Sequence, residues 1–165
     1  HQVPLDRMGA TWFSARWRRD AGWGWFDPLH YVAGSEAVTN TKWSSWNSWS
    51  VGGNTDQSLG MYPAANALIG SGNPLAFKAL IVISDGNPTA GGGAPGFRAA
   101  SNYAWANGIH VWTVAFGSSI NDTLMGTGPS GTVRGIGTYS KAPNSSGLAA
   151  LMVQIAESFP VALVD

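Results

Sequence analysis

Two short apolar runs constrain the fold of this chain most strongly. One extends from Ala79 to Ser84 and ends at the turn residue Asp85, and the other extends from Ile109 to Phe116. Bounded runs of this length are typical of strands that are covered on both faces of a parallel sheet. A helical pattern from Phe97 to Asn107 lies between them, with Gly108 just past its end. Strand–helix–strand order predicts right-handed crossovers and a mainly parallel sheet.

Apolar residues at helical spacing predict two more helices, from Gln57 to Ile69 and from Asn144 to Phe159. Asn144, Ser145 or Ser146 is expected to cap the second helix. The apolar faces of these helices are predicted to be Leu59, Tyr62, Ala65 and Ile69 in the first, and Leu148, Leu151, Met152, Ile155 and Phe159 in the second. The remaining predicted elements are strands at 6–14, 30–33 and 133–139, a helical turn at 121–125, a glycine-rich loop at 90–96 and a last strand or tail at 160–164.

Composition narrows the class of protein. The 165 residues suffice for one domain, and nine acidic residues balance nine basic residues. A neutral chain argues against nucleic-acid binding, which normally needs a basic surplus. Only 11% of residues are charged and there is no cysteine, which favours an extracellular or assembled protein and excludes disulfides and zinc–thiolate sites. The first residue is His1, with no signal pattern, so we expect the chain to begin inside a longer gene product.

Tryptophan is concentrated in the first third of the chain. Seven of the nine tryptophans lie there, and the stretch from 15 to 50 has no clear period, so it is predicted to be a long insertion. Burial in a core or interface is one interpretation of these residues, and stacking against sugar rings or a partner protein is the other. Because tryptophan is enriched at interface hot spots, we predict partner contacts at Trp43, Trp46 and Trp49.

Two short motifs carry oxygen ligands. Asp85 follows the buried run at 79–84 and precedes Gly86, which is a natural place for a ligand or metal; capping of a turn is the alternative. Thr55 and Asp56 lie where a loop enters the first predicted helix. Their oxygens suit a hard cation such as Mg²⁺, while helix capping is again the alternative.

Patterns typical of enzymes are absent from the sequence. There is no G-x-S-x-G nucleophile elbow, and the Gly91–Gly93 run lacks the Gly-Lys-Ser/Thr of a phosphate-binding loop. His1, His30 and His110 have no ligand spacing, and few carboxylates are available for paired-acid chemistry. We therefore expect a binding protein and not an enzyme.

Taken in order, five segments of the chain resemble the von Willebrand factor type A domain. Within that family they are most similar to bacterial pilus-assembly and surface proteins. The resemblance spans nearly the whole chain apart from 15–50, so we interpret 1–165 as one domain of this type. It implies an α/β fold with a doubly wound, mainly parallel sheet flanked by helices. The segments are DRMGATWFS at 6–14, GGNTDQSLGM at 52–61, ALIVISDGNPT at 79–89, ANGIHVWTVAFG at 106–117 and the closing stretch at 135–159.

The resemblance also implies a metal-ion-dependent adhesion site for Mg²⁺ or Mn²⁺, in which Thr55 and Asp85 supply ligands. The family's first ligand loop, Asp-x-Ser-x-Ser, does not occur in this sequence, and neither does the central strand before it. Loss of a central strand leaves backbone groups unpaired, at about 1–3 kcal/mol for each buried group. We therefore hypothesise that another chain, another stretch of the same polypeptide or a neighbouring subunit supplies the first strand and helix.

The function implied by the resemblance is protein binding or adhesion at a bacterial surface or pilus, outside the cell or in the periplasm. A carboxylate from a protein partner would complete the coordination of the metal. Two alternatives stay open: a structural subunit of a filament or surface assembly that needs no metal, and a carbohydrate-binding adhesin that uses the tryptophans.

Overall fold

The computed structural model describes residues 7–11, 26–31, 55–70 and 76–160, with side chains described from residue 55 onward. In chain order the elements are β1 (Arg7–Thr11), β2 (Phe26–Tyr31), α1 (Gln57–Ile69), β3 (Ala79–Ser84), α2 (Gly93–Ala106), β4 (His110–Phe116), α3 (Asp122–Met125), β5 (Tyr139–Ala142) and α4 (Ser145–Glu157). None of the helices in this part of the chain is both long and apolar enough to cross a membrane.

The predicted parallel sheet is present as three strands in the order β3–β4–β5. Ala79 is level with His110 in the β3–β4 ladder, and Thr113 is level with Tyr139 in the β4–β5 ladder. Strands β1 and β2 form a separate antiparallel pair, with an irregularity between Met8 and Ala10. The helix α1 contacts β1, β2 and β3, so it spans the interval between the two sheets.

Helices cover both faces of the parallel sheet, which gives the α/β arrangement that the sequence predicts. Alternation along β4 sends Val111 and Ala115 to one face and Trp112 and Val114 to the other. The first face packs against α1, α2 and α3, and its core includes Met61, Ala65, Leu80, Val82, Phe97, Ala100, Ala104, Leu124 and Met125. The second face packs against α4, which places Ile155 and Phe159 beside Trp112.

Covering of the second face is incomplete at β3. The sequence predicts burial on both sides of this strand, and for Leu80 and Val82 that is correct. On the other face Ile81 is only half-buried, and Ile83 is 36% exposed. The prediction is wrong for this face because α4 lies over β4 and β5, and a single helix is too narrow to cover three strands spaced about 4.8 Å apart.

The predicted apolar face of α1 is correct for Ala65 but wrong for Leu59, Tyr62 and Ile69, although the bounds of the helix are confirmed. Leu59 is 44% exposed, and Tyr62 and Ile69 are exposed as well, while Met61 and Ala65 are buried. Small side chains on the buried side allow α1 to approach α2 closely, and Tyr62 then packs on Tyr103 with ring centroids 5.2 Å apart. Close packing of backbones therefore decides which face is buried.

Three predicted boundaries need correction. The helix α2 begins at Gly93 and not at Phe97, because Pro95 falls in its first turn, where no backbone N–H is needed. The strand predicted at 133–139 is instead one isolated bridge between Arg134 and Val111, and the last described strand begins at Tyr139. The strand β2 is longer than the predicted 30–33 and starts at Phe26.

The helical turn at 121–125 and the cap of the last helix are confirmed, whereas the glycine-rich loop predicted at 90–96 is wrong from Gly93 onward, where α2 begins. Asn144 is the N-cap of α4 and accepts a hydrogen bond from the Gly147 N–H. Asn121 caps α3 in the same way through the Leu124 N–H. Most of the insertion at 15–50 and the tail beyond residue 160 lie outside the described residues.

Candidate functional site

Asp85 stands at the carboxyl end of β3, as the sequence predicts for a ligand site. Its Oδ1 accepts a hydrogen bond from the Asn87 N–H at 3.1 Å, and the Ser84 hydroxyl lies 3.4 Å from the same oxygen. The side chain is half-buried, and no residue in the described ranges hydrogen-bonds to Oδ2. The turn-capping interpretation is therefore correct for one oxygen, and the other oxygen has no hydrogen-bond partner within the described ranges.

Thr55 is tied to the loop that follows Asp85. Its N–H donates to the Thr89 Oγ1 at 2.7 Å, and its carbonyl accepts from the N–H groups of Thr89 at 2.9 Å and Ala90 at 3.1 Å. These hydrogen bonds hold the start of α1 against the turn at 85–88. The structure thus brings the loops of both predicted metal ligands, Thr55 and Asp85, to the same end of the sheet.

The carboxylate of Asp56 takes part in a helix cap. It is the N-cap of α1, where its Oδ1 accepts from the Ser58 N–H at 3.0 Å and from the Ser58 hydroxyl at 2.5 Å. Only 6% of Asp56 is exposed, because Gly91 packs directly on its carboxylate. A Cβ on Gly91 would overlap this carboxylate, so the close approach needs a glycine. For Asp56 the capping interpretation of the sequence is confirmed.

Gln57 was not singled out from the sequence, yet it is the largest buried polar side chain near the site. It is 0% exposed, and its Nε2 donates to the Ser84 Oγ at 2.9 Å. Ser84 Oγ also accepts from the Gly86 N–H at 3.1 Å. Gln57 Oε1 has no hydrogen-bond partner among the described residues. No pattern in the sequence indicates Gln57, because the large apolar residues of α1 do not gather on the face that is buried.

The loop after β4 closes the other side of the site. Asn121 N–H donates to the Asp85 carbonyl at 2.9 Å, and Asn87 Nδ2 donates to the Ser119 carbonyl at 2.5 Å. Gly86, at φ +76°, packs against Met125 of α3, where a side chain would collide. The loops after β3 and β4 therefore form one connected surface around Asp85.

A second carboxylate, Asp122, lies on this surface but is already paired. Lys141 Nζ is 2.8 Å from its Oδ2, and the Tyr139 hydroxyl donates to its Oδ1. The hydrogen bond from Lys141 and that from Tyr139 lower the pKa of Asp122. Burial, with the neighbouring Asp122, raises the pKa of Tyr139. Asp122 therefore forms an ion pair with Lys141, so both of its carboxylate oxygens already have partners, in contrast to those of Asp85.

The side chains of Thr55 and Asp85 carry the type of ligand atom that a hard cation binds, but two side chains do not complete its coordination. Thr55 and Asp85 offer a hydroxyl and a carboxylate, the oxygen ligands that Mg²⁺ prefers. Within residues 55–70 and 76–160, no three His, Cys, Asp or Glu side chains lie close enough to hold a metal. Octahedral coordination needs further oxygens. The predicted partner contacts at Trp43, Trp46 and Trp49 lie outside the described residues.

The chain shares its fold with two solved structures. For the conserved hypothetical protein BatB from Bacteroides thetaiotaomicron the TM-score is 0.59 at 20% sequence identity, and the match covers 94% of this chain and 80% of that chain. For an aerotolerance-related membrane protein from Bacteroides fragilis, carrying multiple mutations to serine, the TM-score is 0.58 at 17% identity, with 93% and 80% covered. No family model and no curated protein matches the chain.

At these identities the likeness establishes the fold alone. The chain has an α/β, Rossmann-like fold in which helices flank a parallel sheet, and this fold is shared with BatB. That fold is consistent with the von Willebrand factor type A resemblance of the sequence. The missing first strand and the metal site stay predictions.

Proposed function

We propose that the chain is a non-enzymatic, protein-binding module of a bacterial surface or periplasmic protein, and that a divalent cation takes part in the binding. The observation that carries the proposal is the carboxyl end of β3, where one carboxylate oxygen of Asp85 has no hydrogen-bond partner among the described residues and lies beside the Thr55 loop. Ligands bind at this end of the strands in open α/β sheets. The location is supported by the membrane and aerotolerance description of one structural neighbour.

Thr55 and Asp85 would hold Mg²⁺ or Mn²⁺ at this end of the sheet. The cation supplies positive charge that a carboxylate of a protein partner can neutralise. The hydrogen bonds to Thr89, Ala90 and Asn87 hold both ligand loops before any partner arrives, so little ordering is needed on binding. No bond is made or broken in this scheme.

A further strand supplied by another chain or segment is the second part of the proposal, and it is supported by the outer edge of β3. The Lys78 carbonyl accepts from the His110 N–H, on the β4 side. Because peptide groups alternate along a strand, the N–H and C=O groups of Ala79, Ile81 and Ile83 point to the opposite edge. No other described strand pairs with that edge. An apolar strand with a free edge is a template for pairing.

The half-covered face of β3 favours a helix together with that strand. Ile81 is half-buried and Ile83 is exposed on the α4 side of the sheet, next to the free edge. A strand beside β3, followed by a helix beside α4, would cover the outer edge of β3 and the side chains of Ile81 and Ile83 together. About a fifth of the BatB structure has no counterpart in this chain, which leaves room for such a unit.

Calorimetric titration of Mg²⁺ and Mn²⁺ into the complete native protein tests the metal-binding proposal. We expect binding heat that Asp85→Ala abolishes. Asp122→Ala is the matched control, because it removes a carboxylate on the same surface that already pairs with Lys141. Heat that survives Asp85→Ala would overturn the assignment of the site. Absence of heat in the wild type would favour the structural-subunit alternative.

The carbohydrate alternative has its own readout. Binding of the native protein to a glycan array that persists in chelator would favour sugar recognition by the tryptophans. Protein binding that chelator abolishes would favour the metal-dependent module.

A further inference from the structure

We infer that Gln57 is a positioning residue for the strand that pairs with β3, and that its Oε1 accepts a hydrogen bond from an N–H or O–H donor of that strand. The inference rests on the proposed strand pairing and adds to it the residue that recognises the incoming segment. It comes from two independent observations: no other described strand pairs with the outer edge of β3, and the buried amide oxygen of Gln57 has no partner among the described residues.

The position of Gln57 places its amide toward the free edge. Gln57 is the first residue of α1, and α1 contacts β3 and also β1, which belongs to the other sheet. Its side chain reaches Ser84, the last residue of β3. The side of β3 next to β4 is covered by α2 and by the β4 ladder. Gln57 therefore lies on the side of β3 from which a further strand would enter.

The amide cannot satisfy both of its ends with the residues around it. Nε2 donates to Ser84 Oγ at 2.9 Å, and Oε1 has no partner within the described part of the chain. Turning the amide over would let Oε1 accept from the Ser84 hydroxyl, but Nε2 would then lose its acceptor. A fully buried side chain cannot use bulk water instead. One end of the amide thus needs a partner that is not among the described residues.

The chemistry of the missing partner is restricted. With Nε2 donating to Ser84, the end that lacks a partner is Oε1, and because an amide oxygen only accepts, its partner must be a donor. A strand beside β3 carries N–H groups that point toward its neighbours, and short hydroxyl side chains that point toward the helices. Either group fits a neutral, buried acceptor without adding charge beside Asp56 and Asp85. Through Ser84, whose hydroxyl lies 3.4 Å from Asp85 Oδ1, the docked strand would also be connected to the proposed ligand.

Residue-resolved hydrogen exchange of the complete native protein tests the inference. In the wild type we expect the N–H groups of Ala79, Ile81 and Ile83 to exchange as slowly as those of Leu80 and Val82, which face β4. Fast exchange at the three outer positions would overturn the strand pairing, and the inference with it.

Gln57→Met separates the inference from the strand pairing. If the outer positions are protected in the wild type, this variant should accelerate their exchange by about tenfold relative to Leu80 and Val82, which is the order expected for loss of one hydrogen bond. Unchanged relative exchange would overturn the role of Gln57 and leave the strand pairing intact.

Two further variants exclude a merely structural effect. Ser84→Ala removes the partner of Gln57 Nε2 but keeps the Oε1 acceptor. Hydrogen exchange at the outer positions (Ala79, Ile81 and Ile83) and at the inner positions (Leu80 and Val82) should therefore change by the same factor. Gln154→Met removes an exposed glutamine of α4 and should leave exchange unchanged at both sets of positions. If Gln57→Met does not fold, a crystal structure of the native wild type decides. A strand donor within hydrogen-bond distance of Oε1 supports the inference, and a buried water in that place overturns it.

Discussion

Asp56 and Asp85 both accept hydrogen bonds from backbone N–H groups of nearby residues. They differ in burial, because Asp56 is buried and Asp85 is half-buried. Gly91 seals Asp56 from solvent, so both of its short hydrogen bonds stay within the first turn of α1. Asp85 uses one oxygen in its own turn, and its other oxygen has no partner in the part of the chain that the structure describes. Capping and metal binding require the same residue types, so local sequence alone does not separate them. The difference arises from Gly91, which is far from Asp56 in the sequence.

Replacement of Gly91 by Ala is predicted to destabilise the fold more than replacement of Gly93. Both glycines have positive φ, +64° and +62°, so both variants pay about 1–2 kcal/mol for a left-handed Ala. Only at Gly91 does the new Cβ displace the Asp56 carboxylate, which adds the loss of a helix cap of about 1 kcal/mol. Chemical denaturation measures the free energy of unfolding of each variant. Equal losses would show that Asp56 does not need this contact.

Asp122 predicts a pH dependence with a definite sign. Its folded-state pKa is lowered from the ordinary value of an aspartate by the hydrogen bonds from Lys141 and Tyr139. A lowered carboxylate pKa contributes stability above the unfolded-state pKa, and this stability is lost as pH falls through the folded-state pKa. Asp122→Asn should therefore lower the free energy of unfolding near neutral pH, and the difference from wild type should vanish in acid. A difference that grows in acid would contradict the sign.

At the scale of elements, order and type were largely predictable, whereas the buried face was predicted correctly for α4 but not for α1. The helices α1 and α4, the strands β3 and β4 and the cap Asn144 all follow from local pattern. The buried face of α1 does not follow from local pattern, because Gly60, Met61 and Ala65 are buried by close packing against a neighbouring helix. Burial depends on what packs against an element, and one chain's periodicity does not contain that information.

The attachment of α4 yields a prediction of its own. Ile155 is the one residue of this helix that is fully buried, and it packs with Trp112, Val114 and Ala142. Ile155→Ala should lower the free energy of unfolding by about 2–5 kcal/mol, as expected for a large-to-small change in a core. Val153→Ala is the matched control, because Val153 is 58% exposed and should change stability by less than about 0.5 kcal/mol. Similar losses of unfolding free energy in both variants would show that α4 does not pack on the sheet through Ile155.

At the scale of the whole molecule, the proposal joins two features: a predicted ligand site with too few oxygens, and an outer edge of β3 with which no other described strand pairs. The sequence predicted the fold class and the end of the sheet at which the loops of Thr55 and Asp85 lie. It did not indicate Gln57 or the uncovered side of β3, because both depend on contacts between segments far apart in the chain. The likeness to BatB supports the fold and leaves the ligand and partner as proposals.

The tryptophan-rich insertion predicts an effect on assembly and not on the core. Replacement of Trp43, Trp46 and Trp49 together by Ala should weaken association of the native protein, since buried aromatic anchors carry much of the free energy of binding at interfaces. Thermal unfolding should be nearly unchanged. Sedimentation velocity compares the assembly state of the variant and the wild type. Unchanged association, or loss of folding, would contradict the prediction.

A crystal structure of the complete native protein grown with Mn²⁺, with anomalous diffraction recorded, tests the central proposal most directly. The proposal predicts an anomalous peak between Thr55 and Asp85 and a further strand paired with Ala79, Ile81 and Ile83. An occupied outer edge of β3 without a peak would leave a structural scaffold that binds no metal. No peak, together with an outer edge of β3 that faces solvent, would contradict the proposal as a whole.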